Sequence, residues 1–284
     1  IINRYSEFKR LLRNNDIDFD VGKYWLNHKN FFDCELTESG PKNLGEVNYL
    51  ENEIKKEKKH NFEDKDLFFI NEKIFEKSLQ SEVLQYYYKI INSKKKNNFK
   101  NILEIGAGGG ILSSILKDKF KSRIVVVDIP DMILVSSAQM INIFPNSNIC
   151  FPNEIKQNKD NLKKFDIIYL LPNQINILEN EFFDLAINTE SFMEMDYEEV
   201  KKYLNLISNT TNDGGYFFTS NRIRKVQRFF SYPWNEMKNF KKIFLNKHKI
   251  FNKSNTHIIL MLEKNKNTEF KNNSITFLEK IYYQ

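Results

Sequence analysis

Ile102-Leu103-Glu104-Ile105-Gly106-Ala107-Gly108-Gly109-Gly110-Ile111 is a short apolar run with one acid in it, followed at once by a glycine-rich stretch and then by further apolar residues. The first part reads as a buried strand and the glycines as a tight turn. From Ile111 onward a helix is expected, because Ile111, Leu112, Ile115, Leu116 and Phe120 recur at helical intervals. A sharp turn at the carboxyl end of a strand needs backbone angles that glycine takes without strain, and a ligand lying against the main chain leaves no room for side chains. In an open parallel sheet, such a turn is expected where the strand order reverses.

Outward from this turn, short apolar runs alternate with amphipathic segments, the pattern of a parallel sheet covered by helices. The predicted strands are Asn101–Ile105, Arg123–Asp128, Phe165–Leu171, Phe183–Asn188, Tyr216–Ser220 and a late one, His257–Leu262. The run Asn148–Phe151 reads equally as an extra strand or a packed loop. A second helical stripe is Tyr197, Val200, Tyr203, Leu204 and Ile207, opened by Asp196 and Glu199 in a capping-box arrangement and stopped by Asn212-Asp213-Gly214-Gly215. Upstream, residues 1–98 read as helix with breaks. The clearest stretch is Leu67–Ile91, and loops fall at Ser39-Gly40-Pro41 and Leu44-Gly45. The polar bridge Lys94–Asn98 sets the expected boundary between a helical region over 1–98 and an α/β domain over 99–284.

The glycine turn is shared by several cofactor classes, and its spacing discriminates among them. A GxGxxG fingerprint starting at Gly106 requires glycine at position 111, which is Ile111, and no Gly-Lys-Ser or Gly-Lys-Thr closes a phosphate loop. Glu104, just before the turn, suits a cationic ligand instead: its carboxylate matches the amino and sulfonium end of S-adenosylmethionine. The turn itself is Gly106, Ala107, Gly108 and Gly110. Asp128, at the end of the second strand, carries two oxygens able to accept both hydroxyls of a ribose.

Beyond these two anchors the chain resembles the sugar O-methyltransferases among the class I S-adenosylmethionine-dependent methyltransferases, over most of residues 101–222. The matching stretches are Val127-Asp128-Ile129-Pro130, Leu170-Leu171-Pro172, Asp184-Leu185-Ala186-Ile187-Asn188-Thr189, Ser191-Phe192-Met193-Glu194-Met195 and Ser220-Asn221-Arg222. The resemblance implies a Rossmann-like fold, with a mostly parallel seven-stranded sheet and helices on both faces. It implies that Glu104, Gly106, Ala107 and Gly108 hold the methionine end of the cofactor, Asp128 and Ile129 the ribose side, and Leu171, Pro172 and Asn173 the adenine, with Asn188 closing the pocket beneath. The helical first third would cover a sugar or glycan-precursor substrate.

Methyl transfer to a hydroxyl asks for a base near the acceptor. Glu194 and Glu190, after the fourth strand, are the candidates, Glu194 first; Glu194 is equally suited to orienting the loop or capping a nearby helix. Ser191, Asn221 and Arg222 are candidates for holding the substrate, with Arg222 offering planar donors to a hydroxyl or an acidic group. His257 reads as a core histidine. Trp25 reads as packing or as a stacking surface for a sugar. Methylation of another hydroxyl-bearing metabolite and a binding module without catalysis are the alternatives.

Composition narrows the partners. The net charge of +6 is a mild excess, and the basic runs Lys55–Lys59 and Lys94–Lys96 lack the interleaved aromatics of a nucleic-acid platform. Asn188-Thr189-Glu190-Ser191 has neither the proline pair nor the aromatic used to stack a flipped adenine. The two cysteines, Cys34 and Cys150, have no metal-ligand spacing, so no metal is expected and a reducing cytoplasm fits. No apolar stretch reaches the length of a membrane span. The chain opens on Ile1 and not on methionine, as a fragment or processed protein would.

Overall fold

A computed structural model describes residues 79–144, 146–248 and 257–267. The expected helix over Leu67–Ile91 falls partly outside them. Its described part is α1 (Leu79–Lys94), whose buried Val83, Leu84, Tyr87, Ile90 and Ile91 lie three or four apart as one helical face requires. Trp25, His28, Cys34, His60, Lys55–Lys59 and the two N-terminal loops lie outside the described residues.

The described residues form two compact units. One contains α1, most of α2 (Ile111–Phe120) and α3 (Pro130–Ile143). Within it Gly110 is pressed against α3: a Cβ there would lie 2.8 Å from Ser136 Cβ. Ser114 Oγ donates to the Gly110 carbonyl at 2.7 Å, anchoring the start of α2.

The other unit is built on one sheet. Its strands are β1 (Asn101–Ile105), β2 (Arg123–Val127), β3 (Ile149–Cys150), β4 (Ile167–Leu170), β5 (Phe183–Thr189), β6 (Thr211–Arg222), β7 (Phe240–Lys247) and β8 (His257–Lys264). The order is β3-β4-β2-β1-β5-β6-β8-β7. The six strands from β3 to β6 in that order run parallel, and β8 pairs antiparallel with both β6 and β7. The chain builds outward from β1 to β2 and β4, then returns to place β5 on the other side of β1, which makes the β1/β5 junction the switch point.

This is the mostly parallel α/β architecture the sequence predicts, with eight strands among the described residues where seven were expected: the six named runs, the ambiguous Asn148–Phe151 run as the two-residue edge strand β3, and Phe240–Lys247 as β7. Two further differences have physical reasons. No strand was expected over Phe240–Lys247, because Lys241, Lys242 and Lys247 break its apolar pattern; in the sheet these lysines stand on an edge strand, where charge discourages pairing with another chain. β6 begins at Thr211, not Tyr216, so Asn212–Gly215 do not separate helix from strand. Pairing to β5 jumps from Phe183↔Thr211 to Leu185↔Tyr216, which makes Asn212–Gly215 a bulge.

After the short helix α4 (Ile155–Asn158), the helix α5 (Tyr197–Thr210) is capped as expected at its start, where the Asp196 side chain accepts from the Glu199 N–H at 2.9 Å. Its end is closed by a cation from across the sheet. Lys264 Nζ donates to the Ser208 and Thr211 carbonyls, both at 2.7 Å, satisfying groups left over at a helix C-terminus. Burial holds the Lys264 ammonium below the usual lysine range. The apolar core of this unit gathers Leu204 and Ile207 of α5, Phe217 of β6, Leu260 of β8 and the aromatic group Phe192, Phe229, Tyr232 and Trp234.

Candidate functional site

Register sets the site. Ile105 pairs with Val127, and Val127 with Leu170, so the residues that follow β1, β2 and β4 emerge in one row at their carboxyl ends. That row is Gly106, Asp128 and Leu171. Gly106 N–H donates to the Val127 carbonyl at 2.9 Å, and Asp128 N–H to the Leu170 carbonyl at 3.2 Å, so the ladder runs past the last strand residues and fixes the row.

At Gly106 the backbone takes φ +70°, and a Cβ would lie 2.0 Å from Ser191 Oγ and 2.3 Å from Ser191 Cβ. Glycine is therefore demanded twice there, by its dihedral angles and by the approach of Ser191 from the loop after β5. Gly108 and Gly110 continue the turn in the same left-handed region, and a Cβ at Gly108 would meet nothing within 4 Å. Half-buried Ala107 lies between the first two.

Two carboxylates flank the turn. Glu104 is 1% exposed on β1, and Asp128 is 8% exposed after β2. Asp128 Oδ1 accepts from the Ile129 N–H at 2.8 Å, which orients the carboxylate at the strand end. Half-buried Leu171 and Pro172 and exposed Asn173 form the next turn. Gln174 braces it: its Oε1 accepts from Leu171 N–H at 2.9 Å while its Nε2 donates to the Pro152 carbonyl at 2.8 Å.

On the other side of β1, buried Asn188 and Asn221 form a connected pair. Asn188 Nδ2 donates to the Ile105 carbonyl at 2.9 Å, and its Oδ1 accepts from Phe192 N–H at 3.1 Å and Asn221 Nδ2 at 2.9 Å. Asn221 Nδ2 also donates to Thr219 Oγ1 at 2.8 Å, and its Oδ1 accepts from Met193 N–H at 3.0 Å. Asn221, expected at the substrate, is enclosed and its amide is engaged within the chain, so it acts as a brace for the loop after β5. Phe192 fixes the same loop from below, with its ring 6.3 Å from those of Tyr203 and Phe217.

The two candidate bases differ in setting. Glu190 directly follows β5 with φ +60°, unusual outside glycine, and its N–H donates to the Ser220 carbonyl at 2.7 Å. Glu194 is exposed and forms an ion pair with Lys225. Arg222 is exposed at the last position of β6, in register with His257. His257 and His248 are buried neighbours, ring centroids 6.3 Å apart, and burial pushes each imidazole down to about 4, with the Arg222 charge adding to the effect on His257. Gln174 and Lys225 were not singled out in the sequence; neither residue type signals its role without the partner it meets. Among the described residues, no group of three His, Cys, Asp or Glu side chains stands close enough to hold a metal ion, and no helix is long and apolar enough to cross a membrane.

An open, mostly parallel sheet with a glycine turn at its switch point, an acid inside the preceding strand and another closing the adjacent one defines a Rossmann-like fold of the methyltransferase class. The chain belongs to the methyltransferase domain family, whose model matches residues 75–256, and it is a methyltransferase. Among solved structures it is similar to the N-methyltransferase NodS from Bradyrhizobium japonicum, at 13% identity and TM-score 0.44 over 66% of this chain and 97% of that one. It is also similar to the PH0226 protein from Pyrococcus horikoshii, at 14% identity and TM-score 0.47 over 72% and 100%. A third is the Haemonchus contortus phosphoethanolamine N-methyltransferase 1, at 14% identity and TM-score 0.45 over 71% and 49%. No curated protein matches the chain.

Proposed function

We propose that this protein is an S-adenosylmethionine-dependent O-methyltransferase acting on a sugar hydroxyl. The observation that carries the cofactor assignment is the row Gly106, Asp128, Leu171 at the carboxyl ends of β1, β2 and β4, with Glu104 two residues before Gly106 on β1. The residues fit the group. Backbone free of side chains at Gly106 and open space at Gly108 suit a ligand lying along the main chain, and the Asp128 carboxylate suits a pair of ribose hydroxyls. Glu104, Gly106 and Ala107 would hold the methionine end, Asp128 and Ile129 the ribose, and Leu171, Pro172 and Asn173 the adenine. Asn188 would support the floor by holding the Ile105 carbonyl. The sugar assignment rests on the Ser191-Phe192-Met193-Glu194-Met195 and Ser220-Asn221-Arg222 stretches together with the cofactor half.

When bound, the cofactor supplies a methyl group made electrophilic by its sulfonium. The chain's own part is to align the acceptor oxygen, keep water away and take the hydroxyl proton. Ser191, packed on Gly106 at the glycine turn, would hold the acceptor beside the methyl group. Of the two candidate bases, geometry favours Glu190, because Glu194 is tied to Lys225 while Glu190 holds a strained backbone at the switch point. Residues 1–98 are assigned as the substrate cover and 99–284 as the cofactor domain.

Calorimetric titration with S-adenosylhomocysteine, with NAD as control, tests the cofactor assignment. The expected result is binding of the former alone, weakened by about tenfold or more in Asp128→Ala, the loss of a charge-assisted bidentate contact. Equal binding of both ligands, or of neither, overturns it.

A further inference from the structure

At the amino ends of β5 and β6, the opposite end of the sheet from Gly106, a cleft of about 550 Å³ opens among the residues before β5, the end of α5, the turn before β7 and the end of β8. Its walls are fastened to one another. Glu181 N–H donates to the Asn209 carbonyl at 3.0 Å, joining the first two, and Asn265 N–H to the Asn239 carbonyl at 2.6 Å, joining the last two. Lys264 Nζ, on the Ser208 and Thr211 carbonyls, ties the end of α5 to β8. Glu181 and Asn239 both hold left-handed backbone, at φ +51° and +62°, a region that side chains seldom enter without a structural demand. The cleft is therefore shaped by the fold before anything enters it.

Three lysines line it, Lys238, Lys264 and Lys266, against one acid, Glu181. Their settings differ. Lys266 pairs with Glu181 at 2.7 Å, and both are exposed. Lys238 is exposed and meets no carboxylate among the described residues. Lys264 is only 5% exposed. An ammonium carries three donors, and the Ser208 and Thr211 carbonyls accept two of them. The third meets no acceptor among the described residues, and the cleft is the space beside it. A buried charge is costly while a donor stays unmet, and an anion in the cleft would offset the burial that depresses this ammonium.

We infer that this cleft is a second ligand site, separate from the cofactor row, and that it takes a phosphate monoester of a small hydroxylated molecule. The third donor of Lys264 and the ammonium of Lys238 answer the phosphate. The carboxamides of Asn209 and Asn239, which have no side-chain partner among the described residues, answer hydroxyls. A tetrahedral group presents oxygens in several directions, as donors on separate walls require, whereas the two oxygens of a carboxylate share one plane. The volume falls within the range of small-molecule sites and exceeds the need of a bare ion. No aromatic among the described residues lines the cleft to stack a base, so the organic part is short and polar. The site stands whether or not the chain transfers methyl groups.

The test is a titration of the full chain followed through its backbone amides by two-dimensional NMR, with glycerol 3-phosphate as the probe and inorganic phosphate and glycerate as comparisons. The probe should shift the amides of Glu181, Asn209, Asn239 and Lys266 and leave Gly106–Gly110 unmoved. At about five times its dissociation constant it should raise the melting temperature by about 2–4 °C. Lys238→Ala should bind it about tenfold more weakly, and without ligand should melt as the wild type does, because the side chain is exposed. Lys264→Met, which strands two carbonyls, should melt lower and lose the probe. No shifts, or shifts confined to the glycine turn, overturn the site, and so does wild-type affinity in Lys238→Ala. Equal affinity for glycerate overturns the choice of phosphate, and equal affinity for inorganic phosphate overturns the ester. Probe binding in a chain that fails to bind S-adenosylhomocysteine supports this site and overturns the methyltransferase reading alone.

Discussion

Asn221 Nδ2 donates to Asn188 Oδ1 at 2.9 Å, and through this one contact the carboxyl ends of β1, β5 and β6 are tied together. Both side chains are wholly buried, so every polar atom they lose would leave a partner without water to replace it. Asn221→Ala strands the Met193 N–H and one face of Asn188, and Asn188→Ala strands the Ile105 carbonyl and the Phe192 N–H. Each should cost about 1–3 kcal/mol in urea unfolding. Asn188→Ala should also weaken S-adenosylhomocysteine binding, because it releases the end of β1; unchanged affinity would separate the brace from the pocket.

Gly106 and Ser191 form a second coupled pair. Gly106→Ala places a methyl where Ser191 Oγ stands, so folding or cofactor affinity should suffer severely. Adding Ser191→Gly removes both atoms in the way and should recover most of the loss, leaving about 1 kcal/mol of strain from the left-handed backbone. A double variant as damaged as the single one would show that dihedral strain dominates over the clash.

The two candidate bases are separable by kinetics. Glu190→Gln should lower kcat by about 10²–10⁴, whereas Glu194→Gln should lower it by less than about tenfold if its task is to hold Lys225. Lys225→Met, which frees Glu194, should change stability by less than about 1 kcal/mol, since the pair is partly exposed. A large loss in Glu194→Gln with Glu190→Gln intact would restore Glu194 as the base.

Stability should fall on acidification through the buried histidines. Burial lowers the folded-state values of His248 and His257 to about 4 from an ordinary 6.5. Above 6.5 neither state takes the proton. As pH falls below that value the unfolded chain binds protons the native state refuses, so stability is lost down to about 4 and then levels off, by up to about 3 kcal/mol for each imidazole. His257→Gln should flatten the decline of the urea midpoint across this window. A variant that follows the wild-type curve would assign the decline to other groups.

The sequence by itself determined the parallel sheet and its turn. β1, β2, β4 and β5 were legible because each is a short apolar run of the right length, and the Gly106–Gly110 turn because a strained backbone calls for one residue type. Such demands are local, and they are written at the position that feels them. Only the tertiary structure decided that β7 exists despite its lysines, that Asn212–Gly215 bulge within β6, and that Asn221 turns inward to Asn188. It likewise decided that Glu194 meets Lys225 and that Lys264 closes the end of α5. Each of these depends on a partner brought close by the folded backbone, and a hydrogen bond or charge pair has no energy until its second member arrives.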